Sequence, residues 1–186
     1  MNLRRYTDSI VNELHQTLHR ISTEETEKLV DLIENVDTIF VCGAGRSGFM
    51  ARAFAMRLMH AGKKVYMAGE TVTPNLKSSD LLIVCSGSGE TKSLTSMAQK
   101  ASALQAKIAL ITIDPNSTIA KLSDVVVTID APSPKTDATT SVSTIQPMGN
   151  LFEQSMLLYL DMVILLIMDR EGLTGPEMFK NHANLE

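Results

Sequence analysis

The sequence predicts an α/β protein with a flavodoxin-like, doubly wound sheet of five parallel strands flanked by helices. After residue 37, short apolar and β-branched runs alternate with helical stretches, and each run is apolar almost throughout, as in strands buried on both faces. Strands that alternate with helices pair in parallel through right-handed crossovers. The predicted strands are residues 38–42, 64–68, 81–85, 107–113 and 125–129.

The size and composition of the chain suit one folded domain. Its 186 residues are 44% hydrophobic and 20% charged, and at this length roughly 70% of the unfolded surface can be buried without a disulfide or a structural metal. Cys42 and Cys85 lack the spacing of a metal site or a secreted disulfide framework, so we expect a cytoplasmic protein. Residues 1–36 are expected to form an N-terminal helical arm of the same domain, and 37–186 the α/β part.

The charge of the chain argues against several classes of partner. With 17 Lys and Arg against 21 Asp and Glu, the formal net charge is -4, which provides no general attraction for nucleic acid or anionic lipid. Five Phe, three Tyr and no Trp are too few for a base-stacking platform. We therefore expect no nucleic-acid or membrane partner, and any anion site has to be local.

The arm is predicted to contain two helices. Apolar residues recur at helical spacing from residue 6 to about 36, and Ser22 followed by Glu25 is the signature of a capping box at the start of the second helix. Acidic residues outnumber basic ones seven to four in residues 1–36, which disfavours a DNA-binding helix-turn-helix. The arm is instead expected to cover the sheet or to take part in oligomerisation.

The segment 151–168 is strongly apolar, with 14 apolar residues of 18. Polar residues interrupt it, and its longest apolar run falls far short of the ~20 residues that span a membrane. It is predicted to be a buried helix. A helix that is apolar on nearly every face has to be covered by its own domain or by another subunit, which favours a homo-oligomer. The Pro-, Ser- and Thr-rich loop that precedes it, 130–147, has the length of a functional lid.

Two glycine-rich turns mark the candidate binding site. G-A-G-R-S-G, residues 43–48, follows the first predicted strand, and S-G-S-G-E-T, residues 86–91, follows the third. In a sheet of order 2-1-3-4-5 these strands are neighbours, and ligands bind at the strand ends where the order reverses. Each turn also opens a helix, whose free N–H groups and dipole favour an anion, so together the turns suit one compact phosphate. The residues assigned to phosphosugar binding are Gly45, Arg46, Ser47, Ser86, Gly87, Ser88, Gly89, Glu90 and Thr91.

Other interpretations of the turns stay open. The first turn satisfies G-x-G-x-x-G, and Glu70 lies about where a ribose-binding acid is expected, so a Rossmann dehydrogenase is one alternative. A sugar-phosphate-sensing regulatory module is another, and it would need an output domain. The serines would also serve simply as helix caps. Neither turn contains the G-K-[ST] of a Walker A loop, which argues against nucleoside triphosphate chemistry.

Four motifs, spread over nearly the whole chain, give it a family resemblance. Besides the two turns they are T-I-Q-P-M-G-N-L-F-E-Q, residues 144–154, and M-F-x-x-H-A-N-L-E, residues 178–186. The chain resembles the sugar isomerase (SIS) domain family through the turns, and its 6-phospho-3-hexuloisomerase branch through the other two motifs.

The resemblance implies a reaction and an assembly. The reaction interconverts D-arabino-hex-3-ulose 6-phosphate and D-fructose 6-phosphate through an enediol(ate), in the ribulose monophosphate pathway of formaldehyde fixation. The assembly is a homotetramer that uses no metal or cofactor and is coupled in function to 3-hexulose-6-phosphate synthase. Another phosphosugar isomerase, or a non-catalytic phosphosugar-binding SIS protein, is the alternative.

Glu153 and His182 are the candidate catalytic residues. Moving a carbonyl from C3 to C2 requires a base for the C2 proton and a group that moves protons between O2 and O3. Glu153 matches the family's base, although it would also simply complement a helix N-terminus. The resemblance implies that His182 reaches a neighbouring subunit's site; His60, at the end of the first crossover helix, is the competing acid. Lys135, in the proline-rich loop, is a further candidate contact to the substrate.

Overall fold

The computed structural model describes residues 2–135 and 140–185. In this part of the chain, five parallel strands form one sheet in the order β2-β1-β3-β4-β5, which confirms the predicted fold class and strand order. The strands are β1 (Ile39–Gly43), β2 (Val65–Met67), β3 (Leu81–Cys85), β4 (Lys107–Thr112) and β5 (Val125–Thr128). Each begins and ends within about one residue of its predicted bounds, because buried β-branched runs bounded by turns define strands well.

The helices of the described residues pack on both faces of this sheet. They are α1 (Leu3–Leu18), α2 (Thr23–Glu34), α3 (Gly45–His60), α4 (Lys92–Ala103), α5 (Asn150–Glu171) and the short α6 (Gly175–Phe179), with one 3-10 turn at Ala120–Leu122. Ser22 caps α2 by accepting from the Glu25 N–H at 3.2 Å. The Glu25 carboxylate does not close the predicted capping box, because its Oε2 accepts instead from the Thr128 N–H at the end of β5.

Two apolar layers hold the fold together. One face of the sheet packs against α2, α3 and α5 through residues such as Leu29, Phe54 and Tyr159. The opposite face packs against α4 and the 3-10 turn. Successive side chains of a strand point to opposite faces, so consecutive crossovers on opposite faces bury both sides of β1, β3 and β4. All five residues of β3 are buried, which explains its uninterrupted apolar sequence.

The apolar segment 151–168 lies within α5, a core helix. Nine of its residues are buried, including Phe152, Tyr159 and Ile167, and α5 packs against α1, α2 and α3. By length and composition alone α5 is apolar enough to cross a membrane, and half of its most apolar 18-residue stretch is buried. The buried side of α5 belongs to the core of the domain. Its outer side leaves apolar residues exposed, a set that we call the α5 stripe: Leu158, Met162, Leu165 and Leu166.

The first glycine-rich turn depends on a close approach between its two ends. A Cβ on Gly48 would lie 2.7 Å from the carbonyl oxygen of Gly43. That oxygen is a backbone atom at the end of a buried strand, so it cannot rotate out of the way. The turn can therefore pass from β1 directly into α3 only with glycine at this position.

We expect Gly48→Ala to lower the free energy of unfolding by about 1–3 kcal/mol, because the added methyl group overpacks this turn. Urea unfolding measures the change. Gly175→Ala is the matched control, since a Cβ at Gly175 meets no heavy atom within 4 Å. Equal unfolding midpoints for Gly48→Ala and the unaltered protein would contradict the close approach.

Candidate active site

A cleft of about 220 Å³ opens at the carboxyl edge of the sheet, beside the ends of β1 and β3. Gly45, Arg46 and Ser47 line it from the first glycine-rich turn. The second turn contributes four of its predicted ligands, Ser86, Gly87, Ser88 and Thr91. The parallel pairing of β1 with β3 thus brings the two turns into one cavity.

Three helices begin at this cleft. Gly45 is the first residue of α3, Thr91 is the N-cap of α4, and Gly149 is the N-cap of α5. Within the described part of the chain, none of these three helices has a side-chain cap hydrogen bond, whereas Asn2 caps α1 and Ser22 caps α2. The first-turn N–H groups of an uncapped helix remain available to an anion. The three N-termini together are therefore suited to a phosphate.

The serine hydroxyls of the second turn both shape the turn and face the cleft. Ser86 Oγ accepts from the Gly89 N–H at 3.2 Å, and Ser88 Oγ accepts from the Glu90 N–H at 3.3 Å. Because each oxygen is the acceptor in these bonds, its own proton is left to donate to a ligand. Thr91 makes no cap hydrogen bond, which disfavours helix capping as its role.

Gly89 and Glu90, which the sequence groups with the ligands, lie outside the residues that line the cleft. Gly89 has a φ of +61°, and a Cβ there would lie 2.0 Å from Ser117 Oγ, so the second turn passes against the residues just before the 3-10 turn. The Glu90 carboxylate accepts from the Thr118 N–H at 2.5 Å, and this bond holds its pKa below the usual range. Both residues therefore hold the second glycine-rich turn in place through contacts outside the cleft.

Glu153 lies in the first turn of α5 and lines the same cleft as the glycine-rich turns. Its side chain is 17% exposed, and its Oε2 lies 3.3 Å from Nε of Arg46. The Arg46 guanidinium also donates to Oδ1 of Asn150. The ion pair thus joins the N-termini of α3 and α5 and places a cation beside the carboxylate that is the candidate base.

The predicted lid reaches the cleft in part. Ser133, Pro134 and Lys135 line the cleft, so the position of Lys135 supports a contact with a bound anion. Residues 136–139 of the predicted lid lie outside the described residues. Glu70 does not line the cleft and pairs with Arg52; its position gives no support to a dinucleotide site.

The two candidate acids lie far from this cleft. His60 is in the last turn of α3, about 22 Å along the helix from Gly45 at 1.5 Å per residue. His182 stacks on His60, with ring centroids 5.3 Å apart, and Asn181 donates to the His60 carbonyl at 2.9 Å. Burial, followed by the charges of Arg57 and His182, lowers the pKa of His60. Within one chain neither His60 nor His182 reaches this cleft, so the role of either as the acid would require the cleft of another subunit.

Several cleft residues escaped the sequence analysis. Met148, Gly149 and Phe152 line the cleft beside Glu153, and Met148 has a φ of +58°, a conformation that is uncommon for a residue with a side chain. A Cβ on Gly87 would lie 3.2 Å from Phe152, so Phe152 packs directly under the second turn. The sequence P-M-G, residues 147–149, marks a turn just before a helix and could have indicated that these residues belong to the site.

Comparison with known proteins identifies the family to which the chain belongs. The model of the SIS domain family matches residues 32–158, a segment that contains both glycine-rich turns and Glu153. The chain belongs to the SIS domain family. The family resemblance inferred from the motifs is thus confirmed. The residues that line the cleft at the carboxyl edge all lie within the matched segment.

Individual SIS relatives match over the whole length. The chain is 49% identical to the 3-hexulose-6-phosphate isomerase of Bacillus subtilis over 186 residues, which is 100% of both chains. It is 38% identical to the protein of the same name from Methylomonas aminofaciens, covering 99% of this chain and 100% of that one. The fold is also similar to a crystal structure of a Methanococcus jannaschii protein, which is inferred to be a 3-hexulose-6-phosphate isomerase. That protein is 35% identical in sequence, the TM-score is 0.86, and the match covers 98% of this chain and 99% of that one.

We expect Thr91→Val in this SIS protein to weaken the binding of fructose 6-phosphate by about tenfold or more, because a hydroxyl that bonds a charged phosphate is lost. The melting temperature should stay unchanged, since Thr91 caps nothing. Calorimetric titration measures the affinity. Ser22→Ala is the matched control: loss of a true cap should lower the stability by about 1 kcal/mol without changing the affinity. Unchanged binding by Thr91→Val would remove Thr91 from the site.

Proposed function

We propose that this protein is a 3-hexulose-6-phosphate isomerase, which interconverts D-arabino-hex-3-ulose 6-phosphate and D-fructose 6-phosphate. One observation carries the proposal: the two hydroxyl-rich turns and the Glu153 carboxylate line the same cleft. A phosphate-binding site and a base for the carbon-bound proton are two of the elements that this reaction needs. The full-length identity of 49% to a relative of that name supports the choice among phosphosugar isomerases.

The phosphate of the substrate is bound by the turns. Ser47, Ser88 and Thr91 donate their hydroxyl protons, and the N-termini of α3 and α4 supply backbone N–H groups. The chain carries a net charge of -4, so attraction of this anion depends on the local N–H groups and on Arg46 and Lys135. The sugar then extends from the turns toward Glu153 of α5.

Glu153 moves the carbon-bound proton. Its carboxylate removes the proton from C2 of the 3-ulose, the electron pair forms the C2–C3 double bond of an enediolate, and the C3 carbonyl oxygen takes the negative charge. Glu153 then returns the proton to C3, while the proton of O2 passes to O3 and C2 becomes the carbonyl. Arg46, whose Nε lies 3.3 Å from Glu153 Oε2, orients the base and stabilises the enediolate oxygen in this proposal.

The oxygen-bound proton requires a second group. Within one chain His182 lies at the far end of α3, against His60, so its role as the acid would be filled across a subunit contact. We therefore propose a homotetramer, as the family resemblance implies. The α5 stripe supports it, because four apolar side chains on one helix face, together with Met56 and Met59 on the adjacent α3, are exposed in the single chain.

The cell compartment and the neighbouring reaction complete the proposal. Both cysteines are free and buried, which suits a reducing cytoplasm. A 3-hexulose-6-phosphate synthase would supply the substrate in the ribulose monophosphate pathway, and functional coupling between the two enzymes is part of the proposal.

We expect Glu153→Gln to reduce kcat by about 100-fold or more, because the amide cannot accept the C2 proton. Binding of fructose 6-phosphate should stay near that of the unaltered protein, since the phosphate ligands are intact. Coupled spectrophotometric turnover and calorimetry measure the two quantities. A variant that retains near wild-type kcat would exclude Glu153 as the base.

Solvent exchange separates this function from the alternatives. Incubation of the unaltered protein with fructose 6-phosphate in D2O should introduce deuterium at carbon through the enediolate, as seen by NMR. Binding without exchange would support a phosphosugar sensor instead. Binding of NAD at micromolar affinity would favour a dehydrogenase.

We expect Leu166→Glu to dissociate the oligomer, because it places a charge in the proposed subunit interface. Light scattering measures the mass of the assembly at micromolar concentration. Leu104→Glu is the matched control: Leu104 is 38% exposed and Leu166 39%, but Leu104 follows α4 on the opposite face of the sheet. A monomeric unaltered protein would contradict the proposed tetramer.

A further inference from the structure

Glu13 of α1 is a buried carboxylate that binds the segment leading into the active-site cleft. It is 8% exposed. It accepts three hydrogen bonds from consecutive residues: from Thr144 Oγ1 at 2.7 Å, the Ile145 N–H at 2.9 Å and Gln146 Nε2 at 3.0 Å. All three donors come from one segment that is more than a hundred residues away in sequence, so the contact joins the N-terminal arm to the approach to α5.

The contacts of Glu13 favour the charged form of its carboxylate. Burial raises the pKa of Glu13, but the hydrogen bonds from Ile145, Thr144 and Gln146 together lower it below the usual range. A buried charge is tolerated only where donors replace water. The segment must therefore keep its three donors directed at Glu13, which makes this contact geometrically demanding.

Only a short path separates these bonds from the catalytic carboxylate. Pro147, Met148 and Gly149 lie between Gln146 and the first residue of α5, and Glu153 is in the first turn of that helix. Met148 and Gly149 line the cleft, and Met148 has the uncommon φ of +58°. Such a backbone conformation persists where the surrounding structure holds it. Glu13 supplies a fixed point immediately before it.

A second contact attaches the other part of the same loop to the arm. Arg20, just after α1, donates to Asp130 Oδ2 at 3.1 Å. Asp130 also accepts from Thr140 Oγ1 and Ser141 Oγ, each at 2.6 Å. The described ends of the loop 130–147 are thus both fixed to residues 1–20. None of these arm residues lies in the segment 32–158 that the family model matches.

We infer that Glu13 is a positioning residue for the isomerase reaction: its hydrogen bonds to residues 144–146 set the place of Glu153 in the cleft. The inference rests on the proposed function. Glu13 does not line the cleft, so it acts through the segment and not on the substrate. The N-terminal arm is accordingly part of the catalytic unit as well as a cover for the sheet.

The test is Glu13→Gln in the full-length protein. The amide keeps the size of the side chain but presents N–H groups to donors, so the segment loses part of its anchor. We expect kcat per folded molecule to fall about 10- to 100-fold, as misplacement of a reacting group by about 1 Å does. KM for fructose 6-phosphate should change less than about threefold, because the phosphate ligands come from the turns after β1 and β3. Circular dichroism gives the folded fraction.

Two further variants keep the test decisive. Thr144→Val removes one donor with little change of volume. If both changes act through the same contact, the loss of kcat in the double variant Glu13→Gln/Thr144→Val should differ from the combined losses of the two single variants. Asp8→Asn, at an exposed acid on the same helix, is the matched control and should leave kcat unchanged.

Two results would overturn the inference while leaving the proposed function in place: kcat per folded molecule within twofold of the unaltered protein in both Glu13→Gln and Thr144→Val, or strictly additive effects of the two changes. Absence of turnover and of solvent exchange in the unaltered protein would overturn the proposed function, and the inference with it.

Discussion

The pairing of β1 with β3 is the constraint on which the site depends. Their register runs from Ile39 opposite Leu81 to Gly43 opposite Cys85, so the two strands end at the same level. Because β2 lies on the outer side of β1, the crossover through α3 covers one face of the sheet while that through α4 covers the other. Both helices then begin at the same edge, and their N-termini converge on one cleft. A different strand order would separate the two glycine-rich turns.

The cleft combines an anion site with a carboxylate, which are electrostatically opposed. The two groups come from different elements. The N–H groups belong to the N-termini of α3 and α4, and Glu153 belongs to α5. A carboxylate that only complemented its own helix dipole would need no partner from another helix. Glu153 instead meets Arg46 of α3 and is largely buried. The Arg46 guanidinium offsets part of the negative charge of Glu153, which under the proposed function would allow a phosphate in the same small cavity.

The parts of this structure that the sequence predicts are those set by local pattern. Buried strands and the two turns follow from residues that are close in sequence, and the strand order follows from the fold class that the alternation of strands and helices indicates. The bonds of Glu13 to Thr144, Ile145 and Gln146 join residues more than a hundred positions apart, and no local signal marks them. The same holds for His182, whose ring packs on His60. The motif S-G-S-G-E-T predicts that every residue faces the ligand, but Gly89 lies against Ser117 and Glu90 bonds the Thr118 N–H, so neither lines the cleft.

The two sides of α5 connect the chemistry to the proposed assembly. The inner side packs into the core against the sheet, and the first turn carries Glu153, the proposed base. The outer side continues from the α5 stripe into a cavity of about 420 Å³, lined by Leu165, Phe179, His60 and His182 among others. A second copy that covers the stripe would therefore also contact the C-terminal residues. Since His182 is exposed on one side of that cavity, the same contact would give its imidazole access to another chain. In the proposed tetramer, subunit association and the access of His182 to another chain would then depend on the same face.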